Sequence, residues 1–381
     1  MNQNQSIEGF NAGKYETGYD YQYFVPEPIN YQWEWTDGTL NELLEKASIK
    51  LGELNSFARL VPNIDLFIHL HVTKEAVVSS RIEGTETTMN EALLPFEEIR
   101  PEKRDDWSEV QNYTRALNES IQALETLPLS SRLLRRAHET LLQGVRGEFK
   151  MPGEFRRSQN WIGGASLADA AFIPPDHILV PDLMGDLEKF LHNKNIHVPA
   201  LIRVGLAHYQ FETIHPFLDG NGRVGRLLIT LYLVSENILE KPLLYLSSFF
   251  ERNRTLYYDN LTRVREKNDL VSWLRYFLVG VEQTSTQAVD TLARIIALKS
   301  GLETEISHTF GKRTHSALAL LNELFKHPAV RKPDVEEICG LSTKASSTLV
   351  NAFVERGYLL EITGNVRGQV FIFDRYIKLF D

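Results

Sequence analysis

Residues 215–226 read His-Pro-Phe-Leu-Asp-Gly-Asn-Gly-Arg-Val-Gly-Arg, a polar, glycine-rich break between two apolar runs of helical period. Upstream, 200–213 repeat apolar residues at steps of three and four, and 223–238 do so downstream. His215-Pro216-Phe217 ends one helix, Asp219-Gly220-Asn221-Gly222 makes a turn, and Arg223 starts the next. Any fold for this chain has to seat that sharp helix–turn–helix.

A glycine-rich turn that opens a helix binds anions, because free backbone N–H groups and the positive helix end point at one place. Gly220 and Gly222 let the backbone approach a phosphate closely. Arg223 and Arg226 sit one helical turn apart and can reach the same anion. Asp219 adds a carboxylate of the kind a Mg²⁺ on phosphate oxygens requires. His215, four residues earlier, suits a general base near neutral pH. Together they suggest a nucleoside triphosphate, a metal and an activated hydroxyl, with phosphate positioning supplying most of the catalysis.

Gly220-Asn221-Gly222-Arg223-Val224-Gly225 also matches the dinucleotide fingerprint G-x-G-x-x-G. That fingerprint needs a buried strand before the turn. Here 200–212 read as a helix, and His-Pro precedes the turn, so a dinucleotide fold is set aside.

The rest of the chain is mainly α-helical. Helical period recurs in 40–60, 64–83, 106–126, 130–143, 182–192 and 270–299, with starts at Pro181-Asp182 and Pro199-Ala200. Residues 1–36 read as an extended arm that packs Tyr15, Tyr19, Tyr21, Tyr23, Tyr31, Trp33 and Trp35 onto the body; Pro26 and Pro28 oppose a helix there. Residues 146–177 are rich in Gly and Pro and read as an irregular loop carrying a β-hairpin. The last 69 residues, 313–381, run helix (314–326), short helix (Asp334–Cys339), turn, helix (Thr343–Arg356), Gly357 cap, and strands Tyr358–Ile362 and Gln369–Phe373. That is the order of a winged helix-turn-helix.

With 381 residues, two or three domains are expected. Charged residues at 24% and hydrophobic residues at 43% fit a globular protein. A net charge of −9 gives no overall pull toward nucleic acid or an anionic membrane. Cys339 is the sole cysteine, so no internal disulfide forms, and its apolar setting reads as a buried small hydrophobe. Met1-Asn2-Gln3-Asn4-Gln5 lacks the charged and apolar pattern of a secretory signal, and no apolar run suits a membrane span. A cytoplasmic protein is expected.

His215–Arg226 resembles the signature of the Fic family, His-x-Phe-x-Asp/Glu-Gly-Asn-Gly-Arg-x-x-Arg, at every fixed position. Supporting similarity covers about 60–285, through Gly153-Glu154-Phe155-Arg156, Ile173-Pro174-Pro175 and Tyr257-Tyr258. The resemblance implies transfer of AMP from ATP to a Ser, Thr or Tyr hydroxyl of a protein. His215 would take the hydroxyl proton and Asp219 would hold Mg²⁺. Gly220, Asn221 and Gly222, followed by Arg223, Val224, Gly225 and Arg226, would bind ATP. Phe217 would pack to fix the loop, and Tyr257 and Tyr258 would either border adenine or simply pack. The hairpin near Gly163–Ile173 resembles the family's flap, which aligns a target segment by strand addition.

Ser79-Ser80-Arg81-Ile82-Glu83-Gly84 also matches the family's inhibitory pattern, Ser/Thr-x-x-x-Glu-Gly/Asn. By resemblance Glu83 would pair with Arg226 at the γ-phosphate position, and Ser79 would help hold the helix. Glu83 could also orient a water and reverse the transfer. Lys74 and Glu75 read as solvated surface. The implied layout is an arm and first helix over 1–50, a Fic domain over 51–300 with an inhibitory helix at about 64–84 and a flap at about 160–175, and a winged helix over 305–381. Relatives also suggest a homodimer. In the C-terminal segment 313–381, nine Lys/Arg face eight Asp/Glu, a weak footprint for DNA. Thr343, Ser346, Ser347 and Asn351 could read base edges, and protein docking or dimer support is the alternative. A nucleotide-sensing DNA-binding regulator is therefore the second functional reading.

Overall fold

The computed structural model describes residues 4–60, 64–365 and 367–380. Met1–Gln3 of the terminal pattern, Val366 of the expected C-terminal hairpin loop and Asp381 lie outside them. The arm holds β1 (Asn4–Ser6), β2 (Gly13–Thr17), β3 (Gln22–Pro26) and β4 (Gln32–Glu34). β1 pairs in parallel with β4, and β2 with β3 antiparallel. Trp33 is buried, with Phe10 on its edge at 5.0 Å. Tyr19 is wholly exposed and Tyr15 half so. The arm thus anchors through selected rings, not the full aromatic set.

The body follows as α1 (Gly38–Leu60), α2 (Asp65–Ile82), α3 (Met89–Ala92), α4 (Arg104–Ala123), α5 (Ser131–Leu141), α6 (Val180–His192), α7 (Ala200–Ile214), α8 (Asn221–Ser235), α9 (Ser247–Arg252), α10 (Arg254–Lys267) and α11 (Leu270–Thr309). α7 and α8 are almost entirely buried, which explains their apolar sequences. A helix and not a strand leads into the glycine turn, as the rejection of a dinucleotide fold requires. α11 runs ten residues past the expected end at 299, because Ser300 and Gly301 only lower helix propensity and do not break it.

α2 is enclosed by α4, α9 and the C-terminal module. Lys74 and Glu75 are consequently not solvated surface. Glu75 is buried and accepts a hydrogen bond from the Tyr113 hydroxyl at 2.9 Å and another from Ser247. Burial pushes its carboxyl up to about 7, against the pull of those partners and Arg226. Lys74 is half-buried and donates to the Phe380 carbonyl. An apolar face is easy to recognise in a sequence, whereas a helix packed on several sides hides polar residues inside too.

The C-terminal module comprises α12 (Thr314–Lys326), β5 (Ala329–Arg331), α13 (Lys332–Cys339), α14 (Thr343–Glu355), β6 (Leu360–Glu361), β7 (Val370–Ile372) and α15 (Asp374–Ile377). Its antiparallel sheet has the order β5-β7-β6. β5 was not foreseen. Gly357 closes α14 at φ 65°, as expected of a left-handed C-cap. Cys339 is half-buried, its thiol on the Ser316 carbonyl. On α14, Ser346 is buried against Glu336 and its own helix, so it is turned away from any base edge. Phe325 meets Phe67 of α2 edge-on at 5.8 Å, and Phe380 meets His71 at 4.8 Å.

Candidate active site

α7 ends at His215, whose backbone is left-handed at φ 50°, and α8 begins after Gly220 at φ 73°. The loop between them is held from outside the motif. Arg156 is buried and meets no carboxylate among the described residues. Its Nε donates to the His215 carbonyl at 3.0 Å, and its other nitrogens donate to the carbonyls of Ser158, Pro175 and Ile214. Burial lowers the guanidinium to about 10. Asn160 Nδ2 donates to the carbonyls of His215 (3.2 Å) and Phe217 (2.8 Å).

Asn221 closes the loop from the other side. Its Oδ1 accepts from the Phe217 N–H, and its Nδ2 donates to the Phe217 carbonyl, both at 2.8 Å. The side chain therefore shapes the loop, and only the Asn221 backbone is left to face an anion. Phe217 is fully buried and stacked on His138 at 3.8 Å, as its packing role requires. His138 Nδ1 accepts the Gly153 N–H at 2.9 Å, so its proton sits on Nε2 and is donated to the Asp219 carbonyl at 3.0 Å. Burial lowers His138 to about 4 and keeps it neutral in that role. His138, Arg156 and Asn160 lie far from the motif in sequence; the similarity at Gly153–Arg156 touched Arg156 without giving it a role, and only an apolar helical stripe or a polar loop marked His138 and Asn160.

His215 itself is half-buried, with Nδ1 sealed and Nε2 left to meet a hydroxyl. Burial, and then the charge of Arg156, lower it to about 4, while Glu83 pulls the other way. A base with that value is already neutral throughout the physiological range. In a Glu83→Gly protein, which also loses the upward pull of Glu83, log kcat/KM should therefore stay flat from about pH 5.5 to 8 and fall only below about pH 4. An inflection near the ordinary histidine value of about 6.5 would contradict this environment.

Both arginines are buried. Arg226 Nε donates to Ser79 Oγ at 2.8 Å and its Nη2 to the Ser79 carbonyl at 2.9 Å. The same Nη2 donates to Glu83 Oε1 at 2.7 Å. Burial works to raise the Glu83 carboxyl, but Arg226, Arg223 and His215 outweigh it and hold it below the usual value. A methyl group built on Gly222 would stand 2.3 Å from Glu83 Oε1 and 3.0 Å from Arg226 Nη1. The Glu83 carboxylate thus lies against the first turn of α8, where the helix end and its free N–H groups favour an anion. Arg223 Nη1 donates to Glu109 Oε2 at 2.8 Å, and its Nη2 is 3.8 Å from Asp219 Oδ1. Burial pushes Glu109 up, against the pull of Arg223 and Arg146.

Asp219 is about two-fifths exposed, and its Oδ1 accepts the Gly220 N–H at 2.6 Å. Among the described residues no group of three or more acidic, His or Cys side chains forms a metal site. A single exposed carboxylate still suits Mg²⁺, which usually takes most of its ligands from phosphates and water.

Tyr257 is buried in the core. His208 Nδ1 lies 2.9 Å from the Gly225 carbonyl, so it carries the proton and Nε2 accepts the Tyr257 hydroxyl at 2.9 Å. Tyr257 therefore packs and ties α10 to α7. Tyr258 is 39% exposed, with the Arg254 guanidinium 6.0 Å from its ring centre, and is the one of the pair able to border a ligand. Val224 is buried. Gly225 is required for packing: an added methyl would sit 2.2 Å from the buried Glu212 Oε1 and 3.1 Å from Phe211. Gly225→Ala should cost about 1–3 kcal/mol by urea unfolding; an unchanged midpoint would refute the contact.

The expected flap is an irregular loop closed by one antiparallel bridge, Ile162 with Phe172, bonded at 2.8 and 3.1 Å. Phe24 of the arm donates to the Ile173 carbonyl at 2.9 Å, so the arm braces the loop.

Residues 41–122 match the family model for the Fic/DOC family N-terminal region, and 128–233 match the Fic/DOC family model. A probable protein adenylyltransferase of Aquifex aeolicus is 30% identical over 203 residues, covering 53% of this chain and 58% of that protein. Protein adenylyltransferase Fic of Aedes aegypti is 32% identical over 137 residues, covering 35% of this chain and 24% of the relative. The chain thus spans less than two thirds of these relatives. Among solved structures, a Fic family protein from Desulfovibrio desulfuricans superposes with a TM-score of 0.56 at 22% identity, covering 89% of this chain and 96% of that one. A Fic-domain protein from Bacteroides thetaiotaomicron gives 0.52 at 21% identity, covering 66% and 96%. The fold, the matched regions and the signature loop agree, and through residues 41–122 and 128–233 this chain belongs to the Fic/DOC family.

Proposed function

We propose that the chain is a protein adenylyltransferase, moving AMP from ATP to a Ser, Thr or Tyr hydroxyl of a protein and restrained by Glu83. The observation that carries the reading is the gathering of His215, the N-terminal end of α8 and two buried arginines around one loop. Relatives bearing the name protein adenylyltransferase support it.

His215 Nε2 accepts the hydroxyl proton as the oxygen attacks the α-phosphorus. The new O–P bond forms, the bond to the β-phosphate breaks, and pyrophosphate leaves with that electron pair. The backbone N–H groups of Asn221 and Gly222, with Arg223 and Arg226, balance the phosphate charge, and Gly220 lets the backbone come close. Asp219 is the residue to hold Mg²⁺, which when bound neutralises phosphate charge. Residues 160–175, closed by the 162–172 bridge, present a backbone edge to the target.

Restraint follows from shared space. While Glu83 holds Arg226 and covers Gly222, the β and γ end of ATP is denied both. Residues 64–84 form the inhibitory element within a Fic domain over 51–300. We assign 305–381 to a winged helix whose Phe325 and Phe380 support α2. The near balance of charge in that module and the burial of Ser346 give DNA binding no specific support. Homodimer formation and removal of AMP rest on the family resemblance, and a cytoplasmic location on the sequence reading of residues 1–5 and the apolar runs.

The test uses ATP labelled on either the α- or the γ-phosphate. Label should reach protein from the α position only. Transfer of γ label would indicate a kinase, and no transfer by a folded, ATP-bound Glu83→Gly protein would defeat the reading.

A further inference from the structure

We propose that Glu109, on α4 and outside the glycine-rich loop, is a positioning residue that holds Arg223 away from Asp219 and keeps its guanidinium for the nucleotide's terminal phosphates. The inference rests on the phosphate-binding reading above.

Glu109 is fully buried, and a buried carboxylate is costly unless paired. It is paired twice. Oε2 accepts from Arg223 Nη1 at 2.8 Å, and Oε1 lies 2.8 Å from Arg146 Nε. Arg223 therefore sits between two carboxylates, Glu109 in contact and Asp219 3.8 Å away. A methyl group on Gly220 would be 3.7 Å from Arg223 Nη2, so the guanidinium faces the loop.

Without Glu109, the nearest remaining anion for this buried cation is Asp219. Closing the 3.8 Å gap would form a direct ion pair, drawing Arg223 aside and engaging the carboxylate assigned to Mg²⁺. Glu109 prevents that by supplying a fixed partner at Nη1.

Arg146 sets the charge balance. Two arginines share one glutamate, so the trio retains a positive charge at the loop. Arg146 is half exposed, so removing it perturbs the core little. Its Nη2 also lies 3.5 Å from the Glu83 carbonyl, placing it beside the end of α2.

The experiment measures ATP and AMP affinity calorimetrically in full-length Glu83→Gly protein, then adds Glu109→Gln, Arg223→Met or both. Glu109→Gln should weaken ATP about tenfold, the scale of one charged hydrogen bond, and raise KM for ATP more than it lowers kcat. AMP, which lacks the β- and γ-phosphates, should bind unchanged. Beside Arg223→Met, Glu109→Gln should add no further loss, because it acts through Arg223. Arg146→Gln should weaken ATP a few-fold with the same dependence on Arg223, and it serves where Glu109→Gln does not fold. Additive losses, an equal loss of AMP affinity, or unchanged ATP affinity in both variants overturn the assignment of Glu109 alone. Failure of the Glu83→Gly protein to bind ATP overturns the phosphate-site reading and this inference with it.

Discussion

Glu83→Gly should raise the rate of AMP transfer by roughly 10- to 100-fold. The factor comes from one charge-assisted hydrogen bond, about 1.5–3 kcal/mol, at tenfold per about 1.4 kcal/mol. The bond in question is the 2.7 Å contact from Arg226 Nη2 to Glu83 Oε1. The competition is also steric, since the same carboxylate lies over Gly222, where a phosphate has to approach. The variant should remain folded. Arg226 keeps both bonds to Ser79, and Glu83 ends α2 and is not embedded within it. Two readouts separate relief of restraint from nonspecific loosening: initial transfer rate, and the rise in Tm on adding ATP. Both should increase over wild type, the second because a ligand that binds only the folded state stabilises it by mass action. A folded variant with unchanged rate and unchanged ATP-induced shift would remove Glu83 from the regulatory role.

His215→Ala should lower kcat by about 10²- to 10⁴-fold, the usual contribution of a general base. ATP affinity should stay within about twofold, because the phosphate contacts belong to α8 and its arginines. The substitution carries a confounding backbone cost. His215 is left-handed at φ 50°, where alanine is strained by about 1–2 kcal/mol. His215→Asn is the better control, since asparagine tolerates that conformation. Equal loss in both variants, with ATP binding kept, identifies loss of the base. Recovery of transfer in His215→Asn would instead assign the alanine defect to the loop's backbone.

The parts of the site that lie contiguously in the chain were legible without coordinates. Asp219 to Arg226 occupy one turn and one helix start, so their mutual geometry follows from local structure. Ser79 and Glu83 were named only through the resemblance to the family's inhibitory pattern, and both side chains contact Arg226. Arg156, Asn160, His138 and Glu109 were not legible. Each reaches the loop by tertiary packing, from a loop or from the inner face of α4 or α5, and nothing periodic distinguishes a buried polar residue from a solvated one. Glu75 was misjudged for that reason. Tyr257, which the sequence allows either to line a pocket or to pack, is buried and hydrogen-bonded to His208. The flap was expected as a hairpin, yet Gly163, Gly164 and the turn at Leu167–Asp169 leave only one bridged pair. The long helices were readable from period, except the 14-residue α10, whose mostly polar sequence buries only four residues. The short α3, α9 and β5 were not, since each is too brief to show one.

Restraint of a His215-dependent transferase by Glu83 is tested most directly by the intact mass of three full-length proteins after incubation with ATP and Mg²⁺: wild type, Glu83→Gly, and Glu83→Gly with His215→Asn. The expected result is an added adenosine monophosphate on the Glu83→Gly protein, or on target protein supplied with it, with little on wild type and none on the double variant. A folded, ATP-binding Glu83→Gly protein that adds no AMP, or a double variant that adds as much, would contradict the account.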